Sequence, residues 1–186
     1  MVLKLSLVLY RPFSIMNRNT GFTLIEVLIA MLVLALGLVG LAGLQVTSLR
    51  NNLSAYNRSQ ATQLAYDLAD RMRANIPGVA TYMTGTAGVI ANCKNTIGCS
   101  PIEMATNDLY EWNCSVAGGC ENNTPPIAAP LPGGQGIVCL DSTPNDGTSV
   151  AVANCDGVGN IYTIKIWWDD DRSGVTSQRL LTSFRL

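Results

Sequence analysis

An uninterrupted apolar run extends from Phe22 to Leu44 and carries one charge, at Glu26. Its 23 residues exceed the roughly 20 that a helix needs to span a bilayer. The apolar region of a secretory signal peptide is shorter, at about 7–15 residues, and ends in small residues at a cleavage site. Lys4, Arg11 and Arg18 precede the run with no acidic residue among them. Because basic residues favour the cytoplasmic side, the pattern predicts a membrane anchor with a cytoplasmic N-terminus.

Glu26 is the residue that an ordinary anchor does not explain. A carboxylate inside a spanning segment costs about 2.5–3.5 kcal/mol, so it normally has a partner and a function. Glu26 lies four residues after Phe22, near the cytoplasmic face. Cleavage of the chain after Gly21 would create a new N-terminal amine at Phe22, within reach of this carboxylate.

Residues 21–27 read GFTLIEV, which resembles the class III signal peptide of type IV prepilins and pseudopilins. The resemblance implies that a prepilin peptidase cleaves after Gly21 and that Phe22 becomes N-methylated. It also implies that Glu26 neutralises the N-terminal amine of a neighbouring subunit during filament assembly. The residues alone leave open whether Glu26 meets its own amine or a neighbour's.

The same resemblance makes residues 1–21 a leader peptide. Leaders of this family are usually short and hydrophilic, whereas residues 1–15 are largely apolar. Two interpretations stay open: translation starts at Met16, which leaves a leader of the expected size, or the leader is unusually long.

Residues 45–76 keep a helical period after the apolar run ends, and Ile76-Pro77-Gly78 stops it. The pattern predicts one helix from Phe22 to Asn75, apolar on all sides over residues 22–44 and amphipathic over residues 45–76. The predicted apolar stripe consists of Val46, Leu49, Leu53, Tyr56, Leu64, Leu68 and Met72.

Two segments narrow the resemblance within the family. Residues 64–75 (LAYDLADRMRAN) resemble the helix end of the PilV family of minor pilins, and residues 167–174 (WWDDDRSG) resemble its C-terminal hairpin. Asp67 and Arg71 in the first segment are spaced for an i,i+4 ion pair. That pair is either a solvated surface contact or a contact with a neighbouring subunit.

Residues 77–186 contain all six cysteines and are predicted to form a periplasmic, disulfide-bonded globular head. An even number of cysteines outside the cytoplasm indicates disulfides. None of them are in C-x-x-C spacing, so no metal site is predicted. The spacing suggests the pairs Cys93–Cys99, Cys114–Cys120 and Cys139–Cys155, although six cysteines allow many connectivities.

The head is predicted to contain irregular loops over residues 79–100 and 114–136, because both stretches are rich in Gly, Thr, Asn and Pro. A helix from Pro101 to Trp112 is predicted between them. Its start combines a Ser-x-x-Glu capping box, formed by Ser100 and Glu103, with proline in the first turn.

Four strands are predicted after the loops: Gly136–Leu140, Ser149–Ala153, Ile161–Trp168 and Arg179–Leu186. An antiparallel sheet packed on the amphipathic half of the long helix gives an α+β fold of the pilin type. The alternating pattern puts Trp167 and Trp168 on opposite faces, one in the core and the other partly exposed. Residues 169–171 are three aspartates at the last hairpin, predicted to be a solvated turn, with an ion site as the weaker alternative.

The resemblance favours a minor pilin that takes part in priming type IV pilus assembly and in forming the tip complex. The alternative is a minor pseudopilin of type II secretion, and a structural major pilin ranks third. The implied partners are other minor pilins, the major pilin, the prepilin peptidase and the inner membrane, with a tip adhesin as a further candidate. The protein would move from the inner membrane to the pilus at the cell surface.

An enzyme is a poor alternative. The chain contains no histidine, the commonest general base and transition-metal ligand. Its acidic residues show no spacing that requires catalysis, and no cofactor is predicted. A net charge of −1 without a basic patch also argues against a nucleic-acid partner.

Overall fold

The structure is a computed structural model that describes residues 21–118, 131–176 and 178–186. The predicted leader therefore lies outside the described residues, except for Gly21. Three α-helices and three strands follow in chain order: α1 (Leu24–Ala74), α2 (Val79–Thr84), α3 (Pro101–Ala117), β1 (Gln135–Leu140), β2 (Tyr162–Trp168) and β3 (Gln178–Phe184). Short 3-10 turns occupy Ile76–Gly78 and Ala91–Lys94. The predicted α+β fold, a long N-terminal helix packed on a C-terminal antiparallel sheet, is confirmed.

The chain divides into two compact units, residues 1–46 and residues 47–186. In the first unit every described residue, 21–46, is exposed. The helix here is long and apolar enough to cross a membrane, by length and composition. An apolar surface of this size is not stable in water and indicates a membrane or a protein partner.

The second unit, called the head here, is built on a sheet of strand order β1-β2-β3, antiparallel throughout. Gly136 pairs with Ile166, which pairs in turn with Leu180. The predicted strand Ser149–Ala153 is wrong, because these residues make only an isolated bridge between Ser149 and Val152. The backbone of Val152 bonds back to the carbonyl of Ser149 at 3.1 Å, so the segment turns on itself and extends along no other strand.

The part of α1 that packs in the head presents small side chains to the sheet and to α3. Its buried residues recur at three- and four-residue intervals, the period of one helix face; they are Asn57, Ala61, Ala65, Leu68, Ala69 and Met72. Of the predicted apolar stripe, Leu68 and Met72 are buried within the head, whereas its first half is not. Val46, Leu49, Leu53 and Tyr56 are all exposed because no described part of the chain covers them.

Helix α3 begins where it was predicted and runs one turn further. Ser100 and Glu103 form both halves of the capping box, at 3.3 and 2.8 Å. Trp112 lies in the core, and its indole nitrogen donates a 2.8 Å hydrogen bond to the carbonyl oxygen of Leu64 in α1. The loop predicted for residues 79–100 is wrong at its start, where α2 forms and buries Tyr82 in the core.

Both faces of the sheet are covered. One face packs on the core with Ile164, Ile166 and Trp168. The other face lies under residues 141–161, called the covering loop here, and it buries Thr163, Lys165 and Trp167 of β2. The prediction that one of Trp167 and Trp168 is partly exposed is therefore wrong, because each is only 1% exposed.

Candidate processing and assembly site

The predicted cleavage site lies just before α1. Gly21 and Phe22 are exposed, and Phe22 retains 82% of its accessible surface. Helix α1 begins at Leu24, and its first turn is closed by hydrogen bonds from the amides of Glu26 and Val27 to the carbonyl oxygen of Thr23. The Gly21–Phe22 peptide bond thus precedes the regular helix.

Glu26 lies in the first turn of α1, where the unpaired amide groups of the helix favour a negative charge. Its carboxylate is exposed and has no ion-pair partner among the residues from Gly21 onward that the structure describes. Ala30 and Leu34 follow at intervals of four, so they share the helix face of Glu26. This face places one carboxylate at the end of an apolar surface.

A second set of polar residues joins α1 to α3 inside the head. Arg71 donates from Nε to Asp67 at 3.0 Å, and from Nη1 to Asp108 at 2.9 Å and Glu111 at 3.0 Å. Lys94 adds a contact to Glu111 at 3.3 Å. The predicted Asp67–Arg71 pair is therefore present, but Arg71 also bridges two helices.

Arg71 and Glu111 each stabilise the charged form of the other. Burial opposes ionisation of Arg71, but its hydrogen bonds to Glu111 and Asp108 raise the pKa of the guanidinium above its ordinary value. Burial also opposes the charge on Glu111, yet the donors around it, Arg71 first, hold the pKa of that carboxyl below its ordinary range. Tyr82 donates to Asp108, and burial together with this bond raises the pKa of the phenol.

The aspartates at the β2–β3 hairpin are not a freely solvated turn. Asp169 is buried and accepts a bond from the amide of Gly174 at 2.5 Å. Asp170 accepts a hydrogen bond from the side-chain Nδ2 of Asn57 at 2.7 Å and another from the indole of Trp168 at 3.2 Å. The bond from Asn57 connects the hairpin to α1. The prediction of a solvated turn is wrong for these two residues, whose carboxylates hold the hairpin in place.

Disulfides join Cys93 to Cys99 and Cys139 to Cys155, which are two of the pairs suggested by spacing. Cys114 is also disulfide-bonded, and Cys120 lies outside the described residues.

Cys139, Asp141 and Cys155 come close enough together to suggest a metal site. Since the two sulfur atoms are already bonded to each other, they are not available as thiolate ligands.

Comparisons with known proteins agree with this arrangement. A family model for the prokaryotic N-terminal methylation motif matches residues 16–42, and a model for the type IV pilin Tt1218 matches residues 43–110. These matches support a type IV pilin. No curated protein and no solved structure matches the chain. The pilin match spans the second part of α1, α2 and most of α3, so it extends into the head beyond the methylation motif.

Type IV pilins are structural subunits, and no catalytic family matches the chain. A pilin with a prepilin motif implies processing by a prepilin peptidase and assembly with other pilins. The motif and the apolar start of α1 fit membrane anchoring followed by assembly into a pilus.

The bridge from Arg71 to α3 cannot be predicted from the sequence. Spacing along α1 predicts only the pair of Arg71 with Asp67, because it does not show the position of α3. The alanines Ala61, Ala65 and Ala69 are the signal that was available: small residues at four-residue intervals allow another element to approach α1 closely.

Proposed function

We propose that the mature chain is a minor pilin of the PilV kind, which takes part in priming type IV pilus assembly and in forming the tip complex. In this proposal residues 1–21 are a leader removed after Gly21, and Phe22 becomes the methylated N-terminus. Residues 22–44 serve first as the membrane anchor and then as part of the filament core. Residues 45–76 form the amphipathic half of the helix, and residues 77–186 form the periplasmic, disulfide-bonded globular part of the chain.

The proposed assembly role is supported by the exposed apolar surface of the first part of α1. Every residue of α1 from Leu24 to Leu53 is exposed, and Glu26 is the only acidic residue in that stretch. A membrane covers such a surface in the unassembled subunit, and the helices of neighbouring subunits cover it in a filament. The proposed role of Glu26 is to meet the N-terminal amine of the preceding subunit.

The assignment to the PilV kind rests on resemblance in two segments, and the geometry supports a shared role for them. Residues 64–75 contain Leu68, Met72 and Arg71, which attach α1 to the rest of the head. Residues 167–174 contain Asp170, which bonds to Asn57 of the same helix. Both segments therefore fix the position of α1 relative to the rest of the head. The surface that a minor pilin presents to neighbouring subunits depends on this position.

The test is the amount of filament sheared from cells that lack this gene, with a complemented strain as the control. Loss of surface filaments that complementation restores supports the priming role. Normal filaments together with failed export of a secreted protein would instead identify a minor pseudopilin of type II secretion, whose N-terminal motif is the same. Normal filaments and normal secretion would contradict both assignments.

A further inference from the structure

A fully buried lysine lies under the covering loop. Lys165 is in the middle of β2, and its side chain has no exposed surface. An ammonium group is compact and strongly hydrated, so it is almost never buried completely unless it is paired. Its neighbours on this face of the strand, Thr163 and Trp167, are also buried and supply no opposite charge.

The partners of Lys165 come from the covering loop and from the end of β1. Its Nζ lies 2.5 Å from Oδ2 of Asp141, whose side chain is also fully buried, and 2.7 Å from Oδ1 of Asp146. It also donates hydrogen bonds to the carbonyl oxygen of Ala153, at 2.7 Å, and to that of Asp146, at 3.5 Å. These are the charged and polar groups that face Nζ from the described residues.

The contact with Asp141 is not aligned as a hydrogen bond. Oδ2 of Asp141 has no hydrogen-bond partner in the described part of the chain, although it is the atom nearest to Nζ. The other oxygen, Oδ1, accepts a bond from the amide of Thr143 at 2.9 Å, which fixes the orientation of the carboxyl group. The bond to Oδ1 thus orients Oδ2 of the same carboxyl group toward the lysine nitrogen.

From this geometry we propose that Lys165 and Asp141 are joined by an intramolecular isopeptide bond, with Asp146 as the proton carrier. A buried ammonium and a buried carboxylate are costly to keep away from water as charges, and condensation to a neutral amide removes both charges. Holding the two reacting groups side by side lowers the barrier to such a condensation, because they no longer have to meet by diffusion.

The reaction balances without any further reactant. One ammonium proton of Lys165 passes to the carboxylate of Asp141, the nitrogen attacks Cγ of that group, and a C–N bond forms. Asp146 accepts a proton from that nitrogen and passes it to the hydroxyl group of Asp141. The C–O bond then breaks, and the hydroxyl leaves with the proton as one water molecule. No atom is oxidised or reduced, and Asp146 ends in its initial protonation state.

Asp146 is suited to this role by its position. Its side chain is 36% exposed, so it connects the buried pair to solvent and gives the departing water a path. Arg179 of β3 donates to the carbonyl oxygens of Asp146 and Gly147, which holds this part of the covering loop against the sheet. The bond would close the covering loop a second time, beside the disulfide between Cys139 and Cys155.

The first measurement is the mass of the full chain extracted from membranes, after reduction and alkylation of its cysteines. The bond predicts a mass lower than that of the mature sequence by one water molecule. A succinimide at Asp146-Gly147 or Asp156-Gly157 would cause the same loss, so the mass alone does not decide. A mass with no water missing means that Lys165 and Asp141 form only an ion pair, and it overturns the proposal.

Trypsin distinguishes the two sources of water loss. It cleaves after a free lysine but not after an acylated one, so the bond predicts a peptide from Asn95 to Arg172 that is uncut at Lys165 and lacks one water. A succinimide leaves Lys165 free, and cleavage after it would contradict the bond even where water is missing.

Variants then assign the roles. Asp146→Asn keeps the size of the side chain but removes the proton carrier, and we expect trypsin to cleave after Lys165 in this variant. The matched control is Asp156→Asn, a carboxylate of the covering loop that bonds to Ser142 and does not contact Lys165; it should keep the bond. An intact bond in Asp146→Asn would remove Asp146 from the mechanism, and a lost bond in Asp156→Asn would contradict the specificity of the site.

Discussion

A single carboxylate at the start of α1 has no partner within the described residues, and it lies on an otherwise apolar helix face. We predict that Glu26→Ala leaves membrane insertion intact but abolishes incorporation into filaments. Removing the charge lowers the cost of insertion by about 2.5–3.5 kcal/mol, so a loss of assembly would come from the missing partner for a neighbour's amine. The measurement compares the subunit in sheared filaments with the subunit in membranes.

The control for this prediction is Glu26→Asp, which keeps the charge and shortens the side chain. It should retain part of the incorporation that Glu26→Ala loses. Full incorporation of Glu26→Ala would rule out charge neutralisation as the role of this residue.

Gly136 in β1 lies directly against the indole of Trp112. A Cβ atom at this position would come within 2.4 Å of Cη2 of Trp112, which is buried and cannot move aside. We predict that Gly136→Ala destabilises the head by about 1–3 kcal/mol, the usual cost of overpacking a core. Thermal unfolding checks this value, with Gly88→Ala as the control.

Gly88 is a suitable control because a Cβ atom there would meet only Thr106, at an ordinary contact distance of 3.6 Å. Alanine at such a position is neutral or slightly stabilising. Equal effects of the two substitutions would mean that the close approach of β1 to Trp112 is absent.

For a single residue, the sequence shows the chemistry of the side chain more clearly than its surroundings in the fold. Glu26 could be identified because one charge in a long apolar run needs an explanation. Lys165 could not, because in an alternating strand it reads as the solvent-facing residue between Ile164 and Ile166. Its burial depends on the covering loop, and nothing in the local pattern shows that a loop folds over that face.

Among the elements, the junction of α1 and α3 depends on Arg71. We predict that Arg71→Ala destabilises the head by about 1–2 kcal/mol, because it leaves Asp108 and Glu111 without their shared cation. The value is moderate since the side chain of Arg71 is still 31% exposed. Chemical denaturation is the measurement.

The control for the junction is Asp70→Ala, which breaks the exposed pair with Arg73 at the end of the same helix. Exposed pairs of this kind contribute about 0–1 kcal/mol. If Asp70→Ala destabilised the head as much as Arg71→Ala does, the bridge to α3 would have no special role.

The junction also predicts how stability depends on pH. Burial alone would raise the pKa of Glu111, but bonds from Arg71, Asn107 and Lys94 lower it below the ordinary value of 4.5. Glu111 therefore binds a proton more readily in the unfolded chain than in the folded head. The stabilisation that its ionised carboxylate gives is complete above pH 4.5 and is lost as the pH falls through the lower pKa of the folded state. Unfolding curves from neutral to acid pH should show a shallower loss of stability for Glu111→Gln than for the natural chain.

The elements that could be predicted are those with a strong local signal. Helix α3 has a capping box and a proline at its start, and α1 keeps its period to the Ile76-Pro77-Gly78 stop. Helix α2 could not be predicted, because VATYMT has β-branched residues and no cap, and it is stabilised by burying Tyr82. The segment Ser149–Ala153 has strand propensity but no partner strand, so tertiary context decides its conformation.

At the scale of the whole molecule, the packing of the head does not use the first part of α1. The first buried residue of that helix is Asn57. We predict that a chain from Thr47 to Leu186, exported to an oxidising compartment, folds with the thermal stability of the head in the full protein. A shorter chain from Gln63 is the comparison.

The shorter chain lacks Asn57, the partner of Asp170, and Ala61 of the core. It should unfold at a lower temperature than the chain from Thr47. Equal stability of the two would show that the hairpin contact with α1 contributes nothing to the head.

All three tryptophans of the chain lie within the head, at positions 112, 167 and 168, and each is about 1% exposed. The helix from Leu24 to Ala74 contains none. The tryptophan fluorescence of the intact protein, excited where tyrosine does not absorb, therefore reports on the head alone, even in a detergent micelle or a lipid vesicle. Unfolding should shift the emission to the red as the indoles meet water, and the anchored helix will add no background to that optical signal.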